Sequence, residues 1–138
     1  MPASSRSPVV LLLAADELTR RMTASCLETF GFTVITAHRA SEAEKLLREQ
    51  QTGRKIDVLV TDTDVRDDID GLSLGRVARL FNPRTNVIYT ARFPHAIPAA
   101  KRVDGAPCLR TPYNGHQLAA VINGLRNSSV PQLKRDAA

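Results

Sequence analysis

The stretch "VLVTDTDVRDDIDG", residues 58–71, opens on Val58, Leu59, Val60 and Thr61 and closes among Asp62, Asp64, Asp67, Asp68 and Asp70. A short aliphatic and β-branched run bounded by polar turn residues reads as a buried strand. With the preceding Ile56 and Asp57, that strand is expected over 56–62. Asp62 then stands at its carboxyl end, and the pair Asp70–Gly71 opens a helix over 71–81 that Pro83 cannot extend. Asp67 and Asp68 read as solvated loop charges between the two elements. A strand that delivers an acid to a loop and returns through a helix is half of a βαβ unit, so the question is whether the rest of the chain repeats it.

It does. "VVLLL" at 9–13 is apolar throughout, as a central parallel strand covered on both faces must be. "FTVITA" at 32–37, "NVIYTA" at 86–91 and "PCLRT" at 107–111 supply further strands. Between them lie helical patterns. Asp16 to Phe30 repeats bulk at Leu18, Met22, Cys26 and Phe30, which predicts one buried side, and Gly31 follows as a stop. Ser41 with Glu44 resembles a capping box for a second helix that buries Ala43, Leu46 and Leu47 and ends before Gly53. A fourth helix is expected within "RFPHAIPAAKRVDG", where Pro98 marks its first turn or shortens it. Leu118, Val121, Ile122 and Leu125 carry the i, i+3, i+4, i+7 signature of a closing helix.

Strands that alternate with helices predict an α/β fold, a doubly wound five-stranded parallel sheet with five helices. At 138 residues the chain fits one domain, with flexible segments expected at 1–8 and 127–138 around a core unit at 9–126. The longest apolar run, 9–15, is far shorter than the roughly 20 residues of a membrane span, and the N-terminus carries no apolar signal core, so a cytoplasmic protein without membrane contact is expected. Cys26 and Cys108 match no metal or redox spacing and are expected to be buried, reduced thiols.

The formal charge of +5 is unevenly distributed. Residues 1–91 carry twelve basic and twelve acidic side chains, and residues 92–138 carry seven basic and two acidic, so the whole excess lies in the last third. A basic face attracts acidic partners. Nucleic acid is not the expected one, because the cations are dispersed, aromatics are few and no helix-turn-helix or zinc spacing accompanies them. An acidic protein surface is.

Ligands of doubly wound sheets gather outside the carboxyl ends of the strands. That geometry brings Asp16, Asp62, Thr90 and Thr111 to one rim. A carboxylate there can attack phosphorus and form an acyl phosphate, aided by a divalent cation. No Ser-His-Asp arrangement and no Gly-rich phosphate loop is present, and His38, His95 and His116 lack partners at catalytic spacing, so an independent enzyme is not expected.

In the order and spacing of "VLVTD", "DG" at 70–71, "VIYTA" at 87–91 and "TPY" at 111–113, residues 9–126 resemble a response regulator receiver domain of two-component systems. The resemblance implies the flavodoxin-like strand order 2-1-3-4-5. It places Asp62 as phosphoacceptor, Thr90 as the switch hydroxyl and Cys108 at the aromatic switch position, where it is too small to act as a rotating ring. It implies Mg²⁺ held by Asp62, by the backbone of Asp64 and by an acid pair, but Ala14 and Ala15 occupy the pair's positions, leaving Asp16 as the substitute metal residue or as a helix cap. The usual lysine is replaced by Thr111, and Pro112 falls on a proline commonly preceded by a cis peptide bond. The implied function is a single-domain receiver phosphorylated by a histidine kinase or phosphotransfer protein. It would signal, and pair as a homodimer, through the fourth helix, fifth strand and fifth helix. The alternative is a pseudo-receiver, a protein-binding module that works without phosphorylation.

Overall fold

The computed structural model describes residues 7–128. Five strands, β1 (Val9–Leu13), β2 (Thr33–Ala37), β3 (Val58–Asp62), β4 (Asn86–Ala91) and β5 (Cys108–Arg110), form one sheet in the order β2-β1-β3-β4-β5. Every neighbouring pair is parallel. Four α-helices accompany them: α1 (Glu17–Thr29), α2 (Ala40–Glu49), α3 (Gly71–Phe81) and α4 (Gly115–Ser128). The segments expected to flank the domain, 1–8 and 127–138, lie mostly outside the described residues, with 127 and 128 in the last turn of α4. Among the described residues no helix is long and apolar enough to cross a membrane.

Strand alternation divides β1 between two cores. Val9, Leu11 and Leu13 pack with Ala43 and Leu47 of α2 and Leu74 and Ala78 of α3. Val10 and Leu12 pack with Leu27 of α1 and Leu118 and Ile122 of α4. All five β1 side chains are buried, at roughly 1.5–3 kcal/mol for each large aliphatic residue, which explains why this strand carries no polar position.

The face of α1 differs from expectation. Leu18 is 65 % exposed, Met22 63 % and Phe30 47 %, while the helix buries Thr23 and Leu27. Residues 22 and 23 lie about 100° apart around a helix, so a one-residue change in the buried stripe turns the 18–22–26–30 row outward. Tertiary packing selects the inner face: small Thr23 and Ala24 approach the α4 side of the sheet, and Gly115 of α4 seats against Cys26. Cys26 and Cys108 are accordingly free and partly exposed rather than buried.

α2 begins differently too. Arg39 is its N-cap without a side-chain bond, and the expected Ser41–Glu44 box does not form. Instead Asp67, reaching across from the β3–α3 loop, accepts from the Ser41 amide at 3.3 Å and the Ser41 hydroxyl at 3.0 Å, with Arg39 at 3.5 Å. Asp67 is therefore a tertiary helix cap and not a solvated loop charge. The amides of Asp68 and Ser41 lead the contacts that push its carboxyl down to about 2. A depressed folded-state value gives stability that is complete above the unfolded value of about 4 and lost as pH falls through about 2. The thermal midpoint of Asp67→Ala is expected below wild type at neutral pH, with the difference closing as pH is lowered from about 4 towards about 2.

Between β4 and β5 the expected fourth α-helix is absent. Two 3-10 turns, Pro94–Ala96 and Ala99–Lys101, take its place. Pro94, Pro98 and Pro107 each lack an amide donor, and Gly105 turns the chain at φ 75°, so no stretch here is long enough to nucleate a helix. The face expected to signal and to pair two copies thus lacks its helix.

Candidate functional site

The carboxyl ends of the strands surround a cavity of about 440 Å³. Ala14, Ala15, Asp16, Asp62, Asp64, Thr111 and Pro112 all line it, together with Thr19, Arg92 and Tyr113. Sequence patterning therefore brings most of its candidates to one place.

Asp62 is the last residue of β3 and is partly exposed. Its Oδ1 accepts the Asp64 amide at 2.9 Å, an Asx turn that aims the carboxyl into the cavity and fixes its rotamer. Burial raises its pKa above the ordinary carboxylate value. The amides of Asp64 and Ala15 and the charge of Arg92 oppose that rise, and the Asp64 carboxylate adds to it. The result is a nucleophile held in place but poorly neutralised.

Asp64 is exposed and engages Arg92, accepting its amide at 3.2 Å with Nε at 3.7 Å. An ion pair this exposed is worth about 0–1 kcal/mol, so its consequence is positional: it holds a guanidinium at the mouth beside Asp62. Asp16 is the N-cap of α1, accepting from the Thr19 amide at 2.7 Å, and Thr19 holds its carboxyl below the usual range. Arg20 reaches back to the Ala14 carbonyl at 2.8 Å, pinning the helix start to the end of β1.

Thr111 lines the cavity while exposed Arg110 does not, as strand alternation requires. The Thr111–Pro112 peptide is cis. Thr90 pairs with Asp62 across the sheet but lies buried outside the cavity lining, its carbonyl accepting the Thr63 amide and hydroxyl. Cys108, the partner of buried Tyr89, also lies away from the cavity. Sequence reading missed Thr19, Arg92 and Tyr113 as site residues. Arg92 directly follows the Thr90–Ala91 strand end and Tyr113 directly follows Pro112, so their position was available; their direction depends on the loops. Tyr113 packs against the core beneath α1 and α4 and forms a wall of the cavity.

These residues do not make a magnesium cage. Mg²⁺ demands near-octahedral oxygen ligation. Among the described residues no group of three His, Cys, Asp or Glu side chains is arranged to hold a metal ion. The Asp16 Oδ2 is engaged by the Thr19 amide, and the side chains of Ala14 and Ala15 are methyl groups that offer no oxygen.

No protein-family model matches the sequence, and no curated protein matches it significantly. Solved structures do match. A response regulator receiver protein from Sinorhizobium medicae WSM419 superposes with a TM-score of 0.76 at 24 % identity, covering 89 % of this chain and 97 % of that one. A response regulator receiver domain protein from Clostridium thermocellum gives 0.74 at 25 % identity, covering 88 % and 96 %. A CheY-like receiver domain from Methylobacillus flagellatus gives 0.70 at 18 % identity, covering 87 % and 99 %.

Proposed function

This chain has the fold of a response regulator receiver domain, and from that premise we propose that residues 9–126 act as a cytoplasmic receiver in two-component or phosphorelay signalling, with Asp62 accepting a phosphoryl group from a histidine kinase or phosphotransfer protein. The observation that carries the reading is the Asp62 carboxyl, fixed by the Asp64 amide at 2.9 Å and opening into the rim cavity. In the step, a carboxylate oxygen of Asp62 attacks phosphorus as the P–N bond to the donor imidazole breaks. The imidazole keeps the bonding pair and takes up a proton, and Asp62 becomes an acyl phosphate. Arg92 and the hydroxyls of Thr19 and Thr111, all cavity residues, are the groups available to face the transferred oxygens. Leu18 and Met22, exposed on the first turns of α1, offer apolar surface beside the rim on which a donor protein can seat.

The test is intact mass measurement after incubation with a small phosphodonor, with and without magnesium. Wild type is expected to gain one phosphoryl group slowly and Asp62→Asn none. Because only the carboxylate attacks and burial raises its pKa, the rate should fall on acidification with a midpoint above the ordinary value of about 4. An adduct that persists on Asp62→Asn would overturn the assignment of the acceptor. A second reading, phosphorylation-independent protein binding, rests on the engagement of Asp16 in its cap and on the lack, among the described residues, of a metal-holding acid group. It is the reading that wild type without any adduct would leave.

A further inference from the structure

The two short turns that replace the expected helix leave one side of α3 uncovered. Ser73, Arg76, Val77 and Leu80 follow i, i+3, i+4, i+7 spacing along that side, and with Leu72 and Lys101 they line a groove of about 300 Å³. Leu80 is 77 % exposed, the most exposed of the large hydrophobic residues among those described. A lone surface leucine needs no explanation, but one continuous with Val77 and Leu72 along a groove does.

Two cations line that groove, Arg76 from α3 and Lys101 from the facing turn, and Arg66 acts on it at the Asp70 end. Arg76 donates to the Ala100 carbonyl at 3.3 Å, Arg79 to the carbonyls of Thr85 at 2.7 Å and Asp104 at 2.9 Å, and Arg102 to the Pro94 carbonyl at 2.8 Å. Carbonyl oxygens orient a guanidinium and leave its charge in place. Among the described residues, Arg66, Arg76, Arg79, Lys101 and Arg102 form none of the ion pairs, which involve Arg21, His38, Arg39, Arg48 and Arg92. One carboxylate, Asp70, lines the groove. It is engaged as the cap of α3, accepting the Ser73 amide at 2.8 Å, and lies in the fields of Arg66 and Lys101. The groove thus has an apolar floor with one cation on each wall, Arg76 and Lys101, against the single carboxylate of Asp70.

The geometry points to this groove, between α3 and the Ala99–Lys101 turn, as the docking site for an acidic amphipathic helix of a partner protein. The inference rests on the reading of the chain as a module that acts through protein contacts, and it moves the acidic partner from the face lacking its helix to α3. An amphipathic helix supplies both complements at once, apolar anchors at i, i+3, i+4 and i+7 for the leucines and carboxylates on its flanks for the rim. A phosphodiester backbone supplies only the charge and leaves Leu72, Val77 and Leu80 facing water or sugar.

The probe is a fluorescent helical peptide of about 18 residues with leucine at those four spacings and glutamate on its flanks, titrated onto the full chain without phosphodonor. A second peptide of the same composition, with the leucines scrambled around the helix, is the control. Wild type is expected to bind the first at least about fivefold more tightly than the second, to lose at least about fivefold in Leu80→Ser and in Arg76→Glu, and to weaken with salt. Amide shifts should map to residues 72–80 and 99–102. Circular dichroism checks that the exposed-site variants fold, and Lys101→Glu, on the opposite wall, gives an independent readout. Equal affinity for both peptides, unchanged binding in the variants, shifts mapping elsewhere, or displacement of the peptide by duplex DNA or anionic vesicles at equal or lower concentration would overturn the assignment. Asp62→Asn separates the two proposals: it should bind the peptide as wild type does while taking up no phosphoryl group. A wild type that is phosphorylated at Asp62 and ignores the peptide would keep the receiver reading and end this one.

Discussion

Replacing Ala15 by Asp and Thr111 by Lys together is expected to raise the rate of phosphoryl uptake at Asp62 by about two orders of magnitude. Both residues line the Asp62 cavity, Ala15 exposed and Thr111 partly so, which gives the longer side chains room without repacking the core. Each charge-assisted contact is worth about 1.5–3 kcal/mol, or roughly ten- to a hundredfold per contact, and neighbouring substitutions do not add fully. The two should also behave differently alone. Ala15→Asp adds a carboxylate beside Asp62 and Asp64, so without a cation it should raise the Asp62 pKa further and slow uptake. With magnesium it should accelerate uptake, and a chelator should reverse the gain. Thr111→Lys supplies its own cation, so its gain should survive the chelator. Time courses of intact mass with and without chelator check all of this, and the expectation fails if the double variant is no faster than wild type.

The second large effect concerns the junction that places Asp62. A Cβ built on Gly71 would collide with the backbone carbonyl of Asp62 and crowd the Thr61 hydroxyl, which itself donates to the Gly71 carbonyl at 2.7 Å. The neighbour here is backbone, so no side chain can swing away. Gly71→Ala should push α3 off the end of β3 at a cost of about 1–3 kcal/mol or more, lowering the thermal midpoint by several degrees. It should displace the Asp62 carboxyl as well, so phosphoryl uptake is lost while the fold survives. Gly124→Ala is the matched control: nothing lies within 4 Å of the added methyl on exposed α4 surface, and a gain of about 0.4–1 kcal/mol is expected. Equal midpoints for the two variants would show that the β3–α3 junction is not tight.

These effects separate what was readable in the chain from what was not. Short apolar runs marked all five strands, most plainly at the centre of the sheet, where a strand covered on both faces is apolar throughout, as the wholly buried Val9–Leu13 shows. Strand ends share one side of such a sheet, so Asp62, Thr111 and the Asp16 loop met at a rim as expected. The strand order follows the resemblance to receiver domains. Three readings were not decidable from local pattern. The buried face of α1 could have been either of two adjacent stripes, and the place of Thr23 and Ala24 against the α4 side of the sheet turned Leu18 and Met22 outward. Asp67 looked like one more loop acid, yet its partner Ser41 is 26 residues away. The Pro98 segment contains helix formers, yet Pro94 and Pro98 within it leave only turns.

By itself, then, the amino-acid sequence determined the αβ alternation, the rim and the acid standing on it, because hydrophobic period and strand ends are local properties carried by consecutive residues. Tertiary structure decided which side chains face Asp62, which acid caps α2 and which side of α3 lies open. Each of these depends on the direction of a side chain relative to an element distant in sequence, and that direction is fixed only when the layers pack.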